Sequence, residues 1–228
     1  PLPATTNAVN LTVSGLARGS GITTNSSAAT RAWGGNGFDS ASATAAISAN
    51  DFVTFSMSAH SGYELAFTAI SQFDYRRSNT GPANGVLQYQ LGAGSFIDIT
   101  NLAYASGNGA LSPIDLSGIS ALQNVAANTT VTFRIVNYNG QSGGTWYLYD
   151  LANTTAPDFA ISGIINAIAP NPPAQAAWLS DAMLVGDQFQ FLLSGTASSN
   201  YVVQASTNLS ESNWISLHTN VAPFTFIE

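Results

Sequence analysis

The sequence predicts an all-β protein: a jelly-roll-like β-sandwich followed by a small Ig-like β module. Three observations lead to this fold class: runs of alternating apolar and polar residues, turns rich in Gly, Asn and Ser between those runs, and almost no helical periodicity. Short strands separated by such turns are typical of sandwiches and jelly rolls. The 228 residues are enough to bury one or two hydrophobic cores.

Five runs carry the strand pattern of the sandwich. In residues 51–58, Val53, Phe55 and Met57 share one face, as in a half-buried strand. The run at residues 145–151 is apolar on both faces, which favours a central strand. The other runs are residues 63–75, 85–92 and 131–136. The turns expected between strands are at residues 34–37, 79–82, 107–109 and 139–140.

Helix is expected at two places at most. Residues 115–124 are compatible with one or two helical turns, capped by Asp115 or Ser117. The Ala-rich stretch at residues 41–49 is interrupted by Ser and Thr and has no apolar stripe. A helix and an irregular strand or loop therefore both fit this stretch.

Proline marks the expected domain boundary. Residues 169–174 contain three of the nine prolines, which stiffen the chain and remove strand-pairing donors, and we interpret this stretch as a linker. It separates a jelly-roll β-sandwich at residues 1–168 from a small Ig-like β module at residues 175–228. The strands expected in that module lie near residues 187–194, 200–206, 213–218 and 223–228.

Charge and composition exclude several classes of function. The chain has 5 basic residues, all of them Arg, and 12 acidic residues, so its net charge of −7 provides no basic face for nucleic acid. The absence of Lys removes Schiff-base and P-loop chemistry, and the absence of Cys removes thiol catalysis and disulfides. No apolar run approaches the roughly 20 residues of a transmembrane helix. The low charge and the abundant Asn, Ser and Thr predict an exported protein, extracellular or at the cell surface.

Three stretches carry a family resemblance: residues 16–22 (LARGSGI), 71–82 (SQFDYRRSNTGP) and 144–150 (GTWYLYD). They resemble a secreted bacterial β-sandwich module found in exported proteins with PEP-CTERM-type sorting tails, in Verrucomicrobia, Planctomycetes and their relatives. Residues 195–228 are similar to a small β module often appended in such proteins, which normally continues into a further, aromatic-rich strand. The resemblance implies export and a β-sandwich, and it supplies no catalytic residues.

No catalytic residues are indicated, and we expect a protein that is not an enzyme. The two histidines, His60 and His218, fall in different modules and have no nucleophile-elbow motif beside them. The acidic residues are scattered, and their spacing nominates no facing pair of the kind that glycosidases use.

A structural Ca²⁺ is the one cofactor for which the sequence offers candidate ligands. Jelly-roll modules hold Ca²⁺ in loops through carboxylates and backbone carbonyls, and Asp39 and Asp150 are the candidates here. The alternative for Asp39 is a turn cap. The alternative for Asp150 is an ion pair with one of the arginines Arg76, Arg77 and Arg134.

Candidate ligand-binding residues are aromatic side chains that stack on sugars and arginines that bind hydroxyl or carboxylate groups. They are Trp33, Arg76, Arg77, Tyr104 and Tyr138, with Tyr147 and Tyr149 as further platforms. Trp33 is favoured because it lies in a predicted Gly-rich loop. Arg76 and Arg77 are consecutive in a predicted strand and so point to opposite faces. The alternative role of these arginines is a bridge to Asp74, Asp98 or Asp150 that ties the following turn to the sheet.

Assembly is the leading functional hypothesis, because the chain lacks the edge lysines that usually keep β-proteins apart. It predicts a non-enzymatic extracellular structural or adhesive protein that forms a filament or surface layer by strand exchange. The alternating residues Val9, Leu11 and Val13 are the candidate donor, and the strand with Phe224 and Phe226 is the candidate acceptor edge. The alternative for the donor segment is pairing within its own sandwich. The second hypothesis is a carbohydrate-binding module of a larger secreted enzyme, with a polysaccharide partner.

Overall fold

The computed structural model describes residues 2–24, 29–168, 176–208, 210 and 213–228. These residues form antiparallel strands with very little helix, so the predicted all-β, sandwich-like fold is confirmed. The chain divides into two compact units, Pro1–Ala169 and Pro170–Glu228. The predicted linker at residues 169–174 lies outside the described residues.

The first unit is a sandwich of two antiparallel sheets. Its strands are β1 (Leu11–Arg18), β2 (Ala32–Asn36), β3 (Phe52–Ala59), β4 (Tyr63–Arg77), β5 (Asn84–Leu91), β6 (Ile97–Ala103), β7 (Gly107–Ala110), β8 (Ile114–Asp115), β9 (Val131–Tyr138), β10 (Thr145–Tyr149) and β11 (Phe159–Ala167). One sheet has the order β1-β3-β9-β5-β6. In the other, the long strand β4 pairs with β11, β10, β7 and β8, and β10 pairs with β2. Among the described residues, β1 and β11 are edge strands.

The core lies between the two sheets, because alternate strand residues point inward. Val53, Phe55 and Met57 of β3 are buried on one face, which confirms the predicted alternation. Phe133 of β9 stacks on Phe55 with ring centroids 5.2 Å apart, and it meets Phe67 of the opposite sheet at 5.3 Å. Aromatic pairs in such geometries contribute about 0.5–1.5 kcal/mol beyond the area they bury.

Strand β10 is buried along most of its length, as predicted for a central strand, because β4 and β2 flank it. Its partner β2 contains Gly34 and Gly35, so the turn predicted at residues 34–37 is wrong over most of its length. A Cβ at Gly34 would lie 2.1 Å from the Trp146 carbonyl oxygen, and one at Gly35 would lie 2.0 Å from that of Thr23. These glycines permit close backbone approach inside a strand, which a turn pattern in the sequence does not reveal.

The Ala-rich stretch forms a helix, α1 (Ala43–Ala49), which resolves the two interpretations that its sequence allowed. The Ser42 hydroxyl accepts a hydrogen bond from the Ala45 amide at the N-terminus, and Asn50 ends the helix with φ 61°. Ala46 is fully buried against strands β5 and β9. The helical turns expected at residues 115–124 amount to one 3-10 turn at Ser120–Leu122.

The second unit contains a three-stranded and a two-stranded sheet. Its strands are β12 (Trp178–Val185), β13 (Gln188–Ser194), β14 (Asn200–Ala205), β15 (Ile215–Val221) and β16 (Phe224–Ile227). The sheets have the orders β12-β13-β16 and β14-β15. The small core consists of Phe191, Leu193, Ala222, Phe224 and Phe226. No helix within the described ranges has both the length and the apolar character that crossing a bilayer requires.

Candidate functional site

Arg77 of β4 is engaged by the backbone rather than offered to a ligand. Its guanidinium donates hydrogen bonds to five carbonyl oxygens at 2.9–3.4 Å, those of Ser78, Asn79, Gly81, Tyr104 and Ala105. The turn after β4 is thereby joined to the segment after β6. The predicted bridge from Arg77 to a carboxylate is corrected, because carbonyl oxygens occupy its donors.

Arg76 faces the other side of the sheet, beside Tyr147 and Tyr149 of β10. Its Cζ atom lies 5.4 Å from the centroid of the Tyr149 ring, and Arg31 donates to the Tyr149 hydroxyl at 3.3 Å. Within the described part of the chain, no carboxylate is at ion-pair distance from Arg76. A cavity of about 390 Å³ opens beside it, and its polar lining includes Arg76, Asn79, Asn108, Thr145 and Tyr147.

The Tyr147 hydroxyl in this cavity stays protonated at neutral pH. Burial raises the pKa of Tyr147, while the guanidinium groups of Arg76 and Arg18 act in the opposite direction. A protonated hydroxyl and a guanidinium are both hydrogen-bond donors. The Tyr147 hydroxyl oxygen is itself buried, so the cavity, named the Arg76 pocket, offers the Arg76 guanidinium and the Asn79 and Asn108 side-chain amides as donors to an oxygen-rich ligand.

The predicted aromatic platforms are mostly enclosed. Tyr104 is 3% exposed, and its ring centroid lies 4.9 Å from that of Tyr75 and 5.7 Å from that of Trp146. Its predicted role as an exposed platform is therefore corrected: it is a core residue. Burial and the neighbouring Tyr75 raise its pKa well above the ordinary value. Tyr147 and Tyr149, the further platforms, are buried as well.

Trp33 and Tyr138 are half-buried. Trp33 lies in strand β2 rather than in a loop and packs against the sandwich core. The Arg18 guanidinium covers its ring, with Cζ 4.2 Å from the centroid, and donates to the Gly34 carbonyl at 2.7 Å. Tyr138 ends β9 and packs against the cluster formed by α1, β5 and β9. The Trp33 ring is therefore covered by Arg18 and is not a free, flat surface for a sugar.

The two candidate calcium ligands have different surroundings. Asp39 is exposed. Asp150 forms an ion pair with Arg31 at 3.6 Å and accepts a hydrogen bond from the Asn153 amide at 2.5 Å. Its partner is Arg31, so the pairing expected with one of the other arginines (Arg76, Arg77, Arg134) is corrected. Among the described residues, no three His, Asp or Glu side chains are grouped so as to hold a metal ion.

The predicted assembly residues lie mostly inside their own units. Leu11 and Val13 belong to β1, which pairs with β3 of the same sheet, so the alternative of pairing within the sandwich holds for them. Val9 precedes this strand and is 81% exposed. Phe224 and Phe226 are buried in the core of the second unit, while their strand, β16, pairs with β13 alone among the described strands.

A large groove lies at the side of the sandwich where β1 and β11 are the edge strands. Its volume is about 1160 Å³. Both sheets contribute core side chains to its wall: Leu11, Val13, Phe55, Phe67, Phe159 and Ile161. Among the described strands, β11 pairs only with β4, so one of its edges has no strand partner. This space is named the edge groove.

The N-terminal segment, residues 2–8, borders the edge groove and is named the arm. The arm is exposed along its length. It is attached to β1 by one pair of backbone hydrogen bonds, in which the amides of Leu2 and Leu16 each donate to the other's carbonyl at 2.8 Å. A Cβ at Gly15 would lie 1.9 Å from the Leu2 carbonyl oxygen, so the arm lies directly on the Gly15 backbone.

The second unit, taken by itself, exposes apolar side chains on the face that carries its core. Leu179 and Leu184 of β12 lie opposite Leu193 and Phe189 of β13. Leu193 is buried, whereas Leu179 and Leu184 are 59% and 70% exposed. The face of β12 is therefore apolar but only partly covered, which is unusual for a surface in water.

Sequence reasoning missed the edge groove because it did not identify β11. The strand carries a usable signal, since Phe159, Ile161 and Ile165 recur at even spacing and line the groove. Gly163 interrupts this face, and Ile164 adds an apolar residue to the opposite one. The arm carries no comparable pattern.

Comparisons with protein-family models, curated proteins and solved structures found no match for this chain. The resemblance to the module of exported bacterial proteins accordingly stays a prediction.

Proposed function

We propose that this chain is a non-enzymatic extracellular structural or adhesive protein, which assembles into a filament or surface layer through strand exchange between copies. The observation that carries the proposal is the edge groove, where an unpartnered edge of β11 borders apolar core side chains of both sheets. An extended segment in such a groove gains main-chain hydrogen bonds from the edge and apolar contacts from the wall.

The composition of the edges supports the same proposal. Soluble β-proteins protect edge strands with charged residues, lysine above all, and with proline. Residues 159–167 of β11 include no charged residue and no proline, and β1 includes one charge, Arg18. The free edge of β11 therefore lacks the features that discourage pairing between copies, whereas the N-terminal segment covers part of β1. The low charge of the whole chain, 7%, also limits electrostatic repulsion between copies.

The test is the association state of the full chain over a wide range of concentrations, measured by light scattering after size exclusion and by electron microscopy. We expect oligomers or fibres whose abundance rises with concentration. Ile164→Lys introduces a charge on β11 at a side chain that is 54% exposed and should suppress association. Leu151→Lys, at a 39% exposed loop residue, is the control. A strict monomer at every concentration contradicts the proposal.

A second candidate function, carbohydrate binding, is favoured by the Arg76 pocket. Its lining of guanidinium, amide and hydroxyl groups suits the hydroxyl and carboxylate oxygens of a polysaccharide. A glycan array followed by calorimetry tests this function, with loss of binding expected for Arg76→Ala. Asn101→Ala, an exposed change in β6, should bind normally. Absence of any glycan ligand, or equal binding by both variants, counts against it.

A further inference from the structure

We propose that the arm, residues 2–8, is exchanged between copies, so that in the assembled protein the arm of one chain lies along the edge groove of a second chain. The inference rests on the proposed function, since it names the segment and the surface through which copies associate. The occupant of the groove is thus a second copy of this chain.

The arm is weakly held where it lies. Within the described part of the chain, its backbone hydrogen bonds to β1 are the two between Leu2 and Leu16. Residues 3–8 border the groove as exposed chain without a strand partner. Backbone hydrogen bonds that face water contribute little net free energy each, so release of the arm is a small local opening.

A turn at Val9 and Asn10 provides a hinge. Asn10 has φ 65°, in the left-handed region, and Val9 is 81% exposed. Directly after this turn, β1 begins, and Leu11 is paired with Ala59 of β3. A rotation at the turn therefore moves the arm away while β1 keeps its place in the sheet.

Exchange conserves the contacts of the arm. The arm of a neighbouring chain makes the same hydrogen bonds to Leu16 and the same contacts in the groove as the chain's own arm, so the free-energy difference between the closed and exchanged forms is small. Concentration then decides between the two forms by mass action. The arm itself, LPATTNA, has no charge that opposes the approach of a second copy.

The close contact at Gly15 ties the arm to one position on β1. Any side chain at residue 15 meets the Leu2 carbonyl oxygen, 1.9 Å from the ideal Cβ, and the Pro3 Cα atom at 2.8 Å. Gly15→Val therefore expels an arm from this position whether the arm belongs to the same chain or to another one. Gly118→Val is the matched control, because a Cβ at Gly118 meets nothing within 4 Å.

The chain has no cysteine, so engineered thiols report the exchange directly. Hydrogen-bonded antiparallel partners such as Leu2 and Leu16 have Cα atoms about 5.5 Å apart, which a disulfide can bridge. Leu2→Cys and Leu16→Cys chains are mixed at a concentration that supports association, unfolded, refolded together and oxidised. We expect a covalent dimer in which mass spectrometry finds a disulfide between position 2 of one chain and position 16 of the other. We expect Gly15→Val in both chains to abolish this disulfide.

The outcomes separate this inference from the proposed function. Association without a disulfide between positions 2 and 16 of different chains overturns arm exchange and leaves strand-mediated assembly through other edges. A mixture that stays monomeric at every concentration overturns both. We also expect Gly15→Val to raise the concentration of half-association about tenfold, because the added side chain removes both hydrogen bonds between positions 2 and 16. An unchanged value in Gly15→Val overturns arm exchange even if Gly118→Val behaves as a control.

Discussion

Arg77 joins two segments through their backbone carbonyls, and its loss leaves several of those acceptors without a donor. We expect Arg77→Ala to lower the free energy of unfolding by about 2–3 kcal/mol, because hydrogen bonds from charged donors contribute about 1.5–3 kcal/mol. Arg77→Lys should restore only part of this loss, since an ammonium group cannot reproduce the guanidinium fork. Urea denaturation followed by tryptophan fluorescence measures both variants.

Arg76→Ala is the matched control for Arg77→Ala, because it removes the same kind of side chain from the adjacent residue, which points to the opposite face of β4. Its contact with the Tyr149 ring, at 5.4 Å, is a cation–π interaction of the kind that contributes about 0.5–1 kcal/mol at exposed sites. The Arg76 variant should therefore lose less stability than the Arg77 variant. Equal losses would contradict the anchoring role of Arg77.

The carboxyl groups of Asp158 and Asp115 should make stability depend on pH in opposite directions. Burial, with Asp150 and Asp74 nearby, raises the pKa of Asp158, whereas hydrogen bonds from Ser117 lower the pKa of Asp115. Ionised Asp158 lowers the free energy of unfolding at pH values above its pKa in the folded state. This effect disappears as pH falls below the pKa that the group has in the unfolded state. Ionised Asp115 raises the free energy of unfolding at pH values above its pKa in the unfolded state. This contribution is lost as pH falls through the pKa that the group has in the folded state.

Asp158→Asn should therefore raise the free energy of unfolding at pH 7, and Asp115→Asn should lower it. Both differences from the unchanged protein should shrink as pH falls and the carboxyl groups become protonated, and the difference for Asp115→Asn should persist to lower pH because the pKa of Asp115 is lowered. Urea denaturation at a series of pH values measures the three proteins. A stabilisation by Asp158→Asn that grows in acid would show that charge at residue 158 is not its cause.

At the scale of the element, helix α1 depends on its caps because it is only seven residues long. We expect Ser42→Ala to lower the free energy of unfolding by about 1 kcal/mol, since it removes the acceptor for the Ala45 amide. Ser48→Ala is the control: this hydroxyl donates to the Thr44 carbonyl inside the helix, and alanine is the better helix former there. A loss at Ser48 as large as that at Ser42 would contradict the capping role.

Strand β4 shows how much of an element the sequence predicts. A strict alternation places Leu65, Phe67, Phe73 and Tyr75 on one face, and all four are buried. Between Phe67 and Phe73, however, two bulges each insert one residue, and Ile70 is the fully buried residue there. The two insertions cancel, so the ends of the strand keep the predicted face. Bulges depend on the pairing with β11, which a period of two in β4 alone does not contain.

The candidate site was less predictable than the fold, because it depends on what covers each side chain. The sequence places Arg76 and Arg77 on opposite faces, as found, but it does not show that carbonyls occupy Arg77. The sequence predicts Tyr104 and Trp33 as exposed aromatic platforms for a sugar. In the structure, Tyr75 packs against the Tyr104 ring and Arg18 covers the Trp33 ring. Such coverage comes from residues distant in the chain and leaves no local pattern.

At the scale of the whole molecule, the scarcity of charge leaves an edge strand without electrostatic protection. Of 228 residues, 17 are charged, and none is lysine. The edge strand β11 has no charge at all, and core side chains of both sheets line the groove beside it, although Arg31, Asp150 and Asp158 also border that groove. Association through such surfaces depends on apolar burial and backbone hydrogen bonds, which salt screens little. The proposed assembly should therefore persist at high ionic strength.

The apolar face of β12 is only partly covered. Leu179 and Leu184 are 59% and 70% exposed, so replacing both with Lys removes little buried area and should change the free energy of unfolding by less than about 1 kcal/mol. The same variant adds two charges to an exposed apolar face, and we expect it to weaken self-association and to reduce binding of an apolar dye. Ile97→Lys, at a 53% exposed residue of β6, is the control for adding a lysine to a strand. Undiminished association in the β12 variant would exclude this face from the assembly. A large loss of stability would mean that Leu179 and Leu184 stabilise the fold rather than contacts with other copies.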